Sequence, residues 1–171
     1  DRTAGGANAA AETNAAAAAP APAAPRSPLV LEGAGLGIPD ASPPRIVSFE
    51  TPKAAAVEAL TKALGRPPSE QGENSECPGG ALEFATWKDE ITIWFENGRF
   101  AGWDNKGKLR TTGGIGIGSS RSEVAQLAGI EVEESTLGTE FRAGGLSGIL
   151  SSGAADAKVT HLWGGATCVF R

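Results

Sequence analysis

The segment GIGIGSSRSEVAQLAG, residues 114–129, predicts a glycine-rich strand or turn that leads directly into a short helix. Ser120 and Glu123 have the spacing of a capping box, in which each side chain accepts a hydrogen bond from the other residue's backbone amide. Gly129 stands where a helix commonly ends in a left-handed conformation. The segment therefore predicts one structural unit with a marked beginning and a marked helix stop.

A similar glycine pattern, GAGLG, occurs once before, at residues 33–37, and the helix predicted after it stops at Gly65. This recurrence predicts two copies of one unit. Both patterns have the spacing GxGxG rather than GxGxxG, and no Gly-Lys-Ser/Thr follows either of them. Close backbone packing beside a sheet is therefore favoured over phosphate binding as the reason for these glycines.

Residues 1–28 are rich in alanine and proline and offer little apolar area to offset the entropy of ordering, so we expect a disordered tether. The chain has 171 residues, no methionine, and begins at Asp1. We therefore expect a processed, exported protein of the periplasm or cell surface, whose signal or lipid-bearing cysteine would lie upstream. The visible sequence contains no apolar run long enough to predict a transmembrane helix.

The two cysteines, Cys77 and Cys168, fit no metal-binding spacing with the single histidine, so no metal site is predicted. In an exported chain they predict one disulfide that ties a loop of the first half to the last strand. Two free buried thiols are the alternative, and they would require a reducing compartment. A bridge across about 90 residues stabilises by roughly 4–5 kcal/mol in the chain-entropy model.

The net charge of −5 and the scattered cations argue against nucleic-acid binding. The inventory for catalysis is also thin, because one histidine, no tyrosine and no nucleophile motif are present. Asp89 and Glu90 lie together in a predicted turn, where solvated surface is the simpler explanation. We therefore predict a protein that is not an enzyme and that has no cofactor.

The pair Asn97-Gly98 predicts a tight hairpin, because both positions tolerate positive φ. A two-residue loop sets the pairing of Glu96 with Arg99, Phe95 with Phe100 and Trp94 with Ala101, and it continues in step to Thr92 with Trp103. This register predicts one apolar face for a helix to cover, and a mixed second face that carries Thr92, Glu96, Arg99, Trp94 and Trp103.

The fold class predicted from these patterns is α+β, with two tandem repeats of a helix followed by an antiparallel meander and with the helices packed on one sheet face. The first repeat would span residues 29–108 and the second 109–171. If Trp103 corresponds to Trp163 at the end of the second meander, His161 takes the place of Ala101 and lies on the tryptophan side.

A tandem unit of this kind resembles the architecture of β-lactamase inhibitory protein and is similar to small outer-membrane assembly lipoproteins that carry one such unit. The comparison rests on Gly116-Ile117-Gly118-Ser119 with Glu123-Val124 and Leu127, and on Leu60 with Leu64-Gly65. The resemblance implies that the helices cover one sheet face while the other face, or its edges, engages a protein.

Two binding functions follow from these expectations. The first is a protein-binding module of the cell envelope that uses Trp94, Trp103, His161 and Trp163, because tryptophan is frequent among interface anchors. The second is a glycan-binding module of the cell wall, with Trp103, Asp104 and Asn105 in a flat exposed strip. Two simpler hypotheses remain open: the tryptophans form a second core under a loop or the other half, or the domain is a passive structural element.

Overall fold

A computed structural model describes residues 27–169 of the chain, so the predicted tether lies outside the described residues except for Ser27 and Pro28. Eleven strands and two helices occur in this range. In chain order they are β1 (Val30–Glu32), β2 (Gly35–Ile38), β3 (Arg45–Ser48), α1 (Lys53–Leu64), β4 (Glu70–Asn74), β5 (Leu82–Trp87), β6 (Ile91–Glu96), β7 (Arg99–Asn105), α2 (Arg121–Val124), β8 (Glu131–Ser135), β9 (Gly138–Ala143), β10 (Leu146–Leu150) and β11 (Val159–Gly165).

The strands form two antiparallel sheets rather than two separate repeats. The large sheet has eight strands in the order β4-β5-β6-β7-β11-β10-β9-β8, and the small sheet has the order β1-β2-β3. The predicted fold class of two helix-plus-meander repeats is therefore wrong: the described chain is mostly β, and α2 has only four residues. The predicted division after residue 108 does not interrupt the large sheet, because β7 and β11 pair across it.

One hydrophobic core joins the two sheets and both helices, with residues from every strand except β4 and β8. It contains inward side chains of the small sheet, of both halves of the large sheet, of α1 and of the segment before α2, among them Leu31, Leu60, Phe95, Ile115, Val124, Phe141 and Leu162. A repeat needs a core of its own to fold as a unit, and a single shared cluster gives neither half one. The shared core is the physical reason that the tandem interpretation fails.

The hairpin between β6 and β7 turns at Asn97 and Gly98, which both adopt positive φ, as the sequence predicts. Its first two pairs, Glu96 with Arg99 and Phe95 with Phe100, also have the predicted register. Beyond them the register shifts by one residue, so that Trp94 lies opposite Gly102 instead of Ala101. This shift is a β-bulge, and it exchanges the faces of every later residue of β7.

Helix α1 begins at Lys53 with Pro52 as its N-cap, and no side chain caps it. Thr51, the residue before this proline, donates its hydroxyl hydrogen bond to the Ser48 carbonyl. The helix ends at Gly65 in the left-handed conformation, where glycine carries no steric penalty. Ala56, Ala59 and Leu60 are buried in the core, and the half-buried Val57, Ala63 and Leu64 pack against it.

Helix α2 has the predicted capping box, with the Glu123 amide donating to Ser120 and the Ser120 amide donating to the Glu123 carboxylate. The amide hydrogen bond from Ser120 is the main reason that the pKa of Glu123 is lowered. Residues 118–121 also exchange backbone hydrogen bonds with Ala157 and Val159, which fixes α2 beside the start of β11.

The first glycine run allows close approach of backbones. A Cβ on Gly33 would collide with the carbonyl of Gly144, and a Cβ on Gly35 would collide with that of Val47. The turn between β1 and β2 therefore packs directly on the turn between β9 and β10. This contact supports backbone packing, rather than phosphate binding, as the role of the first run.

The predicted disulfide between Cys77 and Cys168 is confirmed. It joins the loop after β4 to the segment that follows β11, and it fits an exported protein. None of the helices in residues 27–169 is long and apolar enough to cross a membrane.

Candidate partner-binding surface

The four residues of the predicted aromatic face do not form one exposed surface. Trp94 lies on the outer face of the large sheet, half-buried, with its ring centroid 5.6 Å from that of Phe84 on β5. Its indole Nε1 is covered and finds no hydrogen-bond acceptor in the described part of the chain. Trp94 is therefore on the predicted face, but its polar edge is not available to a partner.

Trp103 lies on the opposite face, as a direct result of the bulge. Its side chain is 0% exposed, and its indole Nε1 donates a 2.9 Å hydrogen bond to the Glu32 carbonyl of β1. The prediction of Trp103 as a binding residue is wrong, because the core holds it between the two sheets. Asn105 is only 3% exposed, so the flat strip required for glycan stacking is absent as well.

Trp163 and His161 lie on the outer face of β11, where they differ in exposure. Trp163 is 7% exposed and lies opposite Asp104 of β7. His161 is exposed, and its Nδ1 is 3.0 Å from the hydroxyl of Thr160. Only His161 of the four predicted residues is freely accessible, and it has no exposed tryptophan beside it. The outer face is therefore not an aromatic binding strip.

Within residues 27–169, no group of three or more His, Cys, Asp or Glu side chains could hold a metal ion.

The free sheet edges differ from one another in charge. The large sheet ends at β4 and at β8, whose exposed side chains include Glu70 and Glu73 on one edge and Glu131, Glu133 and Glu134 on the other. Charged side chains on an edge strand discourage pairing with another chain. Both edges of the large sheet are therefore protected by negative charge.

The third edge, β3 of the small sheet, lacks this negative charge. Its sequence is Arg-Ile-Val-Ser, without a carboxylate, and Ile46 is 65% exposed. Among the described residues no strand pairs with its outer side, whereas β1 at the opposite edge is covered because the Leu31 amide donates to the Arg110 carbonyl. An exposed aliphatic residue on an unpaired edge marks a candidate surface for pairing.

A shallow groove of about 580 Å³ runs over the outer face of the small sheet beside this edge. Gly37 of β2 forms its floor, between Val30 of β1 and Ile46 of β3, which lie directly across from it. A Cβ placed on Gly37 would lie 3.5 Å from the Cβ of Val30, an ordinary contact. The groove is therefore open because residue 37 has no side chain, and the fold itself does not require glycine there.

The inner side of the β3 edge faces α1 across a cleft of about 220 Å³. Arg45 lines it from the strand, while Ala55, Ala59 and Lys62 line it from the helix. Lys62 is 3.2 Å from Glu58 of the same helix. Arg45 also lines the adjoining pocket together with Asp40 and Lys62, so this side of the edge carries charges of both signs.

The sequence alone does not predict the exposure of Ile46. Ile46 and Val47 are adjacent, so alternation alone leaves either one free to face the core. The structure buries Val47 and exposes Ile46. The usable signal was the lack of carboxylates in β3 compared with β4 and β8.

Neither a protein-family model nor a curated protein matches this sequence. The fold is that of a mostly β protein, and a solved structure with a similar fold is that of the uncharacterized protein yfeY from Escherichia coli. The two share 15% identity with a TM-score of 0.50, over 70% of this chain and 92% of that one. At this identity the likeness concerns the fold alone.

Proposed function

We propose that this chain is an exported, non-enzymatic module of the periplasm or cell surface, and that it binds another envelope protein through the β3 edge and the groove beside it. The observation that carries the proposal is the contrast among the three free edges. Two are acidic, whereas β3 contains no carboxylate and presents Ile46 and Arg45. An extended segment of a partner can add to such an edge by main-chain hydrogen bonds.

The proposed binding surface is the β3 edge instead of the predicted aromatic face. The predicted class of partner, an envelope protein, is unchanged. An exported setting is supported by the disulfide, since such bonds persist in oxidising compartments. The acidic edges β4 and β8 support the choice of β3 as the binding edge, because their charges direct pairing away from the large sheet and toward the small one.

Site-specific photo-crosslinking in cells of the native host tests this function. A photoreactive phenylalanine analogue is placed at position 46, and the same analogue at position 132 serves as the matched control. Val132 is also an exposed aliphatic residue on an edge strand, 45% exposed, but it stands among the glutamates of β8. We expect a discrete adduct with a second protein from position 46 and none from position 132.

Mass spectrometry of the adduct decides between occupants. An adduct of this chain with itself would assign the edge to a second copy, and a crosslink to residues 1–26 would assign it to the chain's own N-terminal segment. Either result, or equal adducts from positions 46 and 132, would overturn the proposal. In a Gly37→Leu background, whose side chain fills the groove, we expect the adduct to be lost.

A further inference from the structure

The chain that follows β11, residues 166–169, lies on the outer face of the large sheet and is called the C-terminal strap below. A Cβ placed on Gly102 of β7 would collide with the backbone of Ala166. Gly102 precedes the inward-facing Trp103, so its own Cβ position points outward. The Ala166 amide also donates a 2.9 Å hydrogen bond to the Ala101 carbonyl. The strap therefore leaves β11 by passing directly over β7.

The disulfide fixes the direction in which the strap continues. It joins Cys168 to Cys77, which lies in the loop between β4 and β5. The strand order β4-β5-β6-β7 requires the strap to run from β7 across β6 toward that loop. Trp94 of β6 lies directly opposite Gly102, and its other neighbour in this row of the sheet is Phe84 of β5. Trp94 therefore stands between Phe84 and the strap.

Closure of the strap over this part of the sheet is opposed by one polar atom. The indole Nε1 of Trp94 is covered and finds no acceptor in the described part of the chain, and a covered donor without a partner is unfavourable compared with the same donor in water. Neither Cys77 nor Cys168 belongs to the hydrophobic core between the sheets. Breaking their bond therefore frees the strap and returns the indole to water without removing a core side chain.

The two sulfur atoms differ in how easily a thiolate can reach them. Cys77 is 6% exposed and directly follows the exposed Glu76, whose negative charge repels a thiolate. Cys168 is the more exposed cysteine, and its chain neighbours Thr167 and Val169 carry no charge. Thiol–disulfide exchange depends on access to the sulfur that is attacked. The geometry therefore favours attack on Cys168.

We propose that the Cys77–Cys168 bond is reduced by a dithiol oxidoreductase and that its reduction releases the strap from Trp94. A thiolate of the dithiol bonds to Sγ of Cys168, the bond between the two cysteines breaks, and its electron pair goes to Sγ of Cys77, which takes up a proton. The second thiol of the dithiol then attacks the mixed disulfide and releases Cys168 as a thiol. The protein gains two electrons and two protons, and the dithiol loses the same number.

Hydrogen exchange of the indole N–H groups, followed by nuclear magnetic resonance before and after addition of dithiothreitol, tests the release. Trp87 and Trp103 are internal controls, because their indole groups donate to the Arg66 and Glu32 carbonyls and report on the core. We expect exchange of the Trp94 indole to become about tenfold faster or more, as for a local opening. Exchange of the two control indoles should stay unchanged.

Two variants separate release of the strap from other effects of the reductant. Cys77→Ala with Cys168→Ala should show fast exchange at Trp94 whether or not dithiothreitol is present. Gly102→Ala displaces the strap by collision with Ala166 and leaves the disulfide intact, so it should speed exchange at Trp94 in the oxidised protein. The signals of the two control indoles establish that each variant is folded.

The point of attack is identified with an oxidoreductase of the thioredoxin type whose second cysteine is replaced by serine, which traps the mixed disulfide. Mass spectrometry after trypsin digestion should find the adduct on Cys168. An adduct on Cys77, or no adduct, would overturn the proposed exchange. Faster exchange of all three indoles on reduction would mean that the bond only holds the fold together, and unchanged exchange at Trp94 would mean that the strap is not released; either result overturns the proposal.

Discussion

The two halves of the large sheet contrast in what covers their inner faces. Strands β4–β7 present large aromatic side chains, among them Trp87, Phe95, Phe100 and Trp103, and the small sheet and α1 supply further side chains to the same core. Strands β8–β11 present mainly aliphatic side chains such as Leu150, Val159 and Leu162. The chain fixed beside them is the four-residue α2, the irregular segment before it, and the β1–β2 turn that packs on the β9–β10 turn.

This difference shows why neither half is an independent unit. A sheet must bury its apolar face against another layer. The chain that covers the second half is too short to form a core without the first half. The seam between the halves is itself packed, because Gly164 of β11 lies under the indole of Trp103. A Cβ there would be 2.7 Å from the Trp103 ring.

Removing the disulfide should cause the largest loss of stability, because this bond ties the first half to the chain that follows the second half. The bond joins a loop of the first half to the chain that follows the second half, across a sequence separation of 91. Replacing both cysteines, Cys77→Ala with Cys168→Ala, should lower the free energy of unfolding by about 4–5 kcal/mol, because the unfolded chain regains loop entropy. Urea unfolding measured by fluorescence and circular dichroism provides the value.

The single variant Cys168→Ala is the control, since it removes the same bond and should lose nearly the same stability. If the halves share one core, both probes will still give one transition. Two separate transitions in the double variant would show that the halves fold independently, contrary to the single core.

Trp103→Ala should produce the next largest loss, about 3–5 kcal/mol for a fully buried tryptophan. It removes packing at the seam and the hydrogen bond to the Glu32 carbonyl. Trp94→Ala, on the outer face of the same hairpin, is the matched control and should cost clearly less because that ring is half-buried. Equal losses from the two variants, by the same urea unfolding assay, would contradict the opposite placement of the two rings.

The pair Trp94 and Trp103 also shows how far the sequence can predict this fold. Asn97-Gly98 predicts the turn, and the first two pairs of the hairpin follow from it. The bulge at Ala101 has no local signature, because the register is set by burial of Trp103 against a strand 71 residues away. One unpredicted residue in the ladder was enough to move a supposed binding residue into the core.

The packing over each half of the large sheet and the exposed β3 edge were equally hard to predict from the sequence. Both depend on contacts between residues that are far apart in the chain. Local signals identify α1, Gly65 and the capping box of α2. They do not reveal that β7 pairs with β11, or that the small sheet lies on the large one. The exposure of Ile46 depends on which face of β3 meets the core, and that is decided by distant residues.

Removing the N-cap of α2 tests whether this short helix, which lies beside the second half of the large sheet, contributes to stability. Ser120→Ala removes the acceptor for the Glu123 amide and should cost about 1 kcal/mol. A loss of this size, measured as the shift in the urea midpoint, would show that four helical residues matter to the whole fold. No loss would mean that the backbone hydrogen bonds with Ala157 and Val159 hold this segment alone.

The same cap should give a small dependence on pH, the weakest of these effects. The Ser120 amide lowers the pKa of Glu123 from its usual value of 4.5, so the folded state favours the charged carboxylate. This stabilisation is present above pH 4.5 and is lost as the pH falls through the lower folded-state pKa. Glu123→Gln keeps a hydrogen-bond acceptor but cannot titrate, so the difference in melting temperature between wild type and variant should shrink below pH 4.5. A difference that stays constant from pH 7 to pH 2 would show that the carboxylate charge does not stabilise α2.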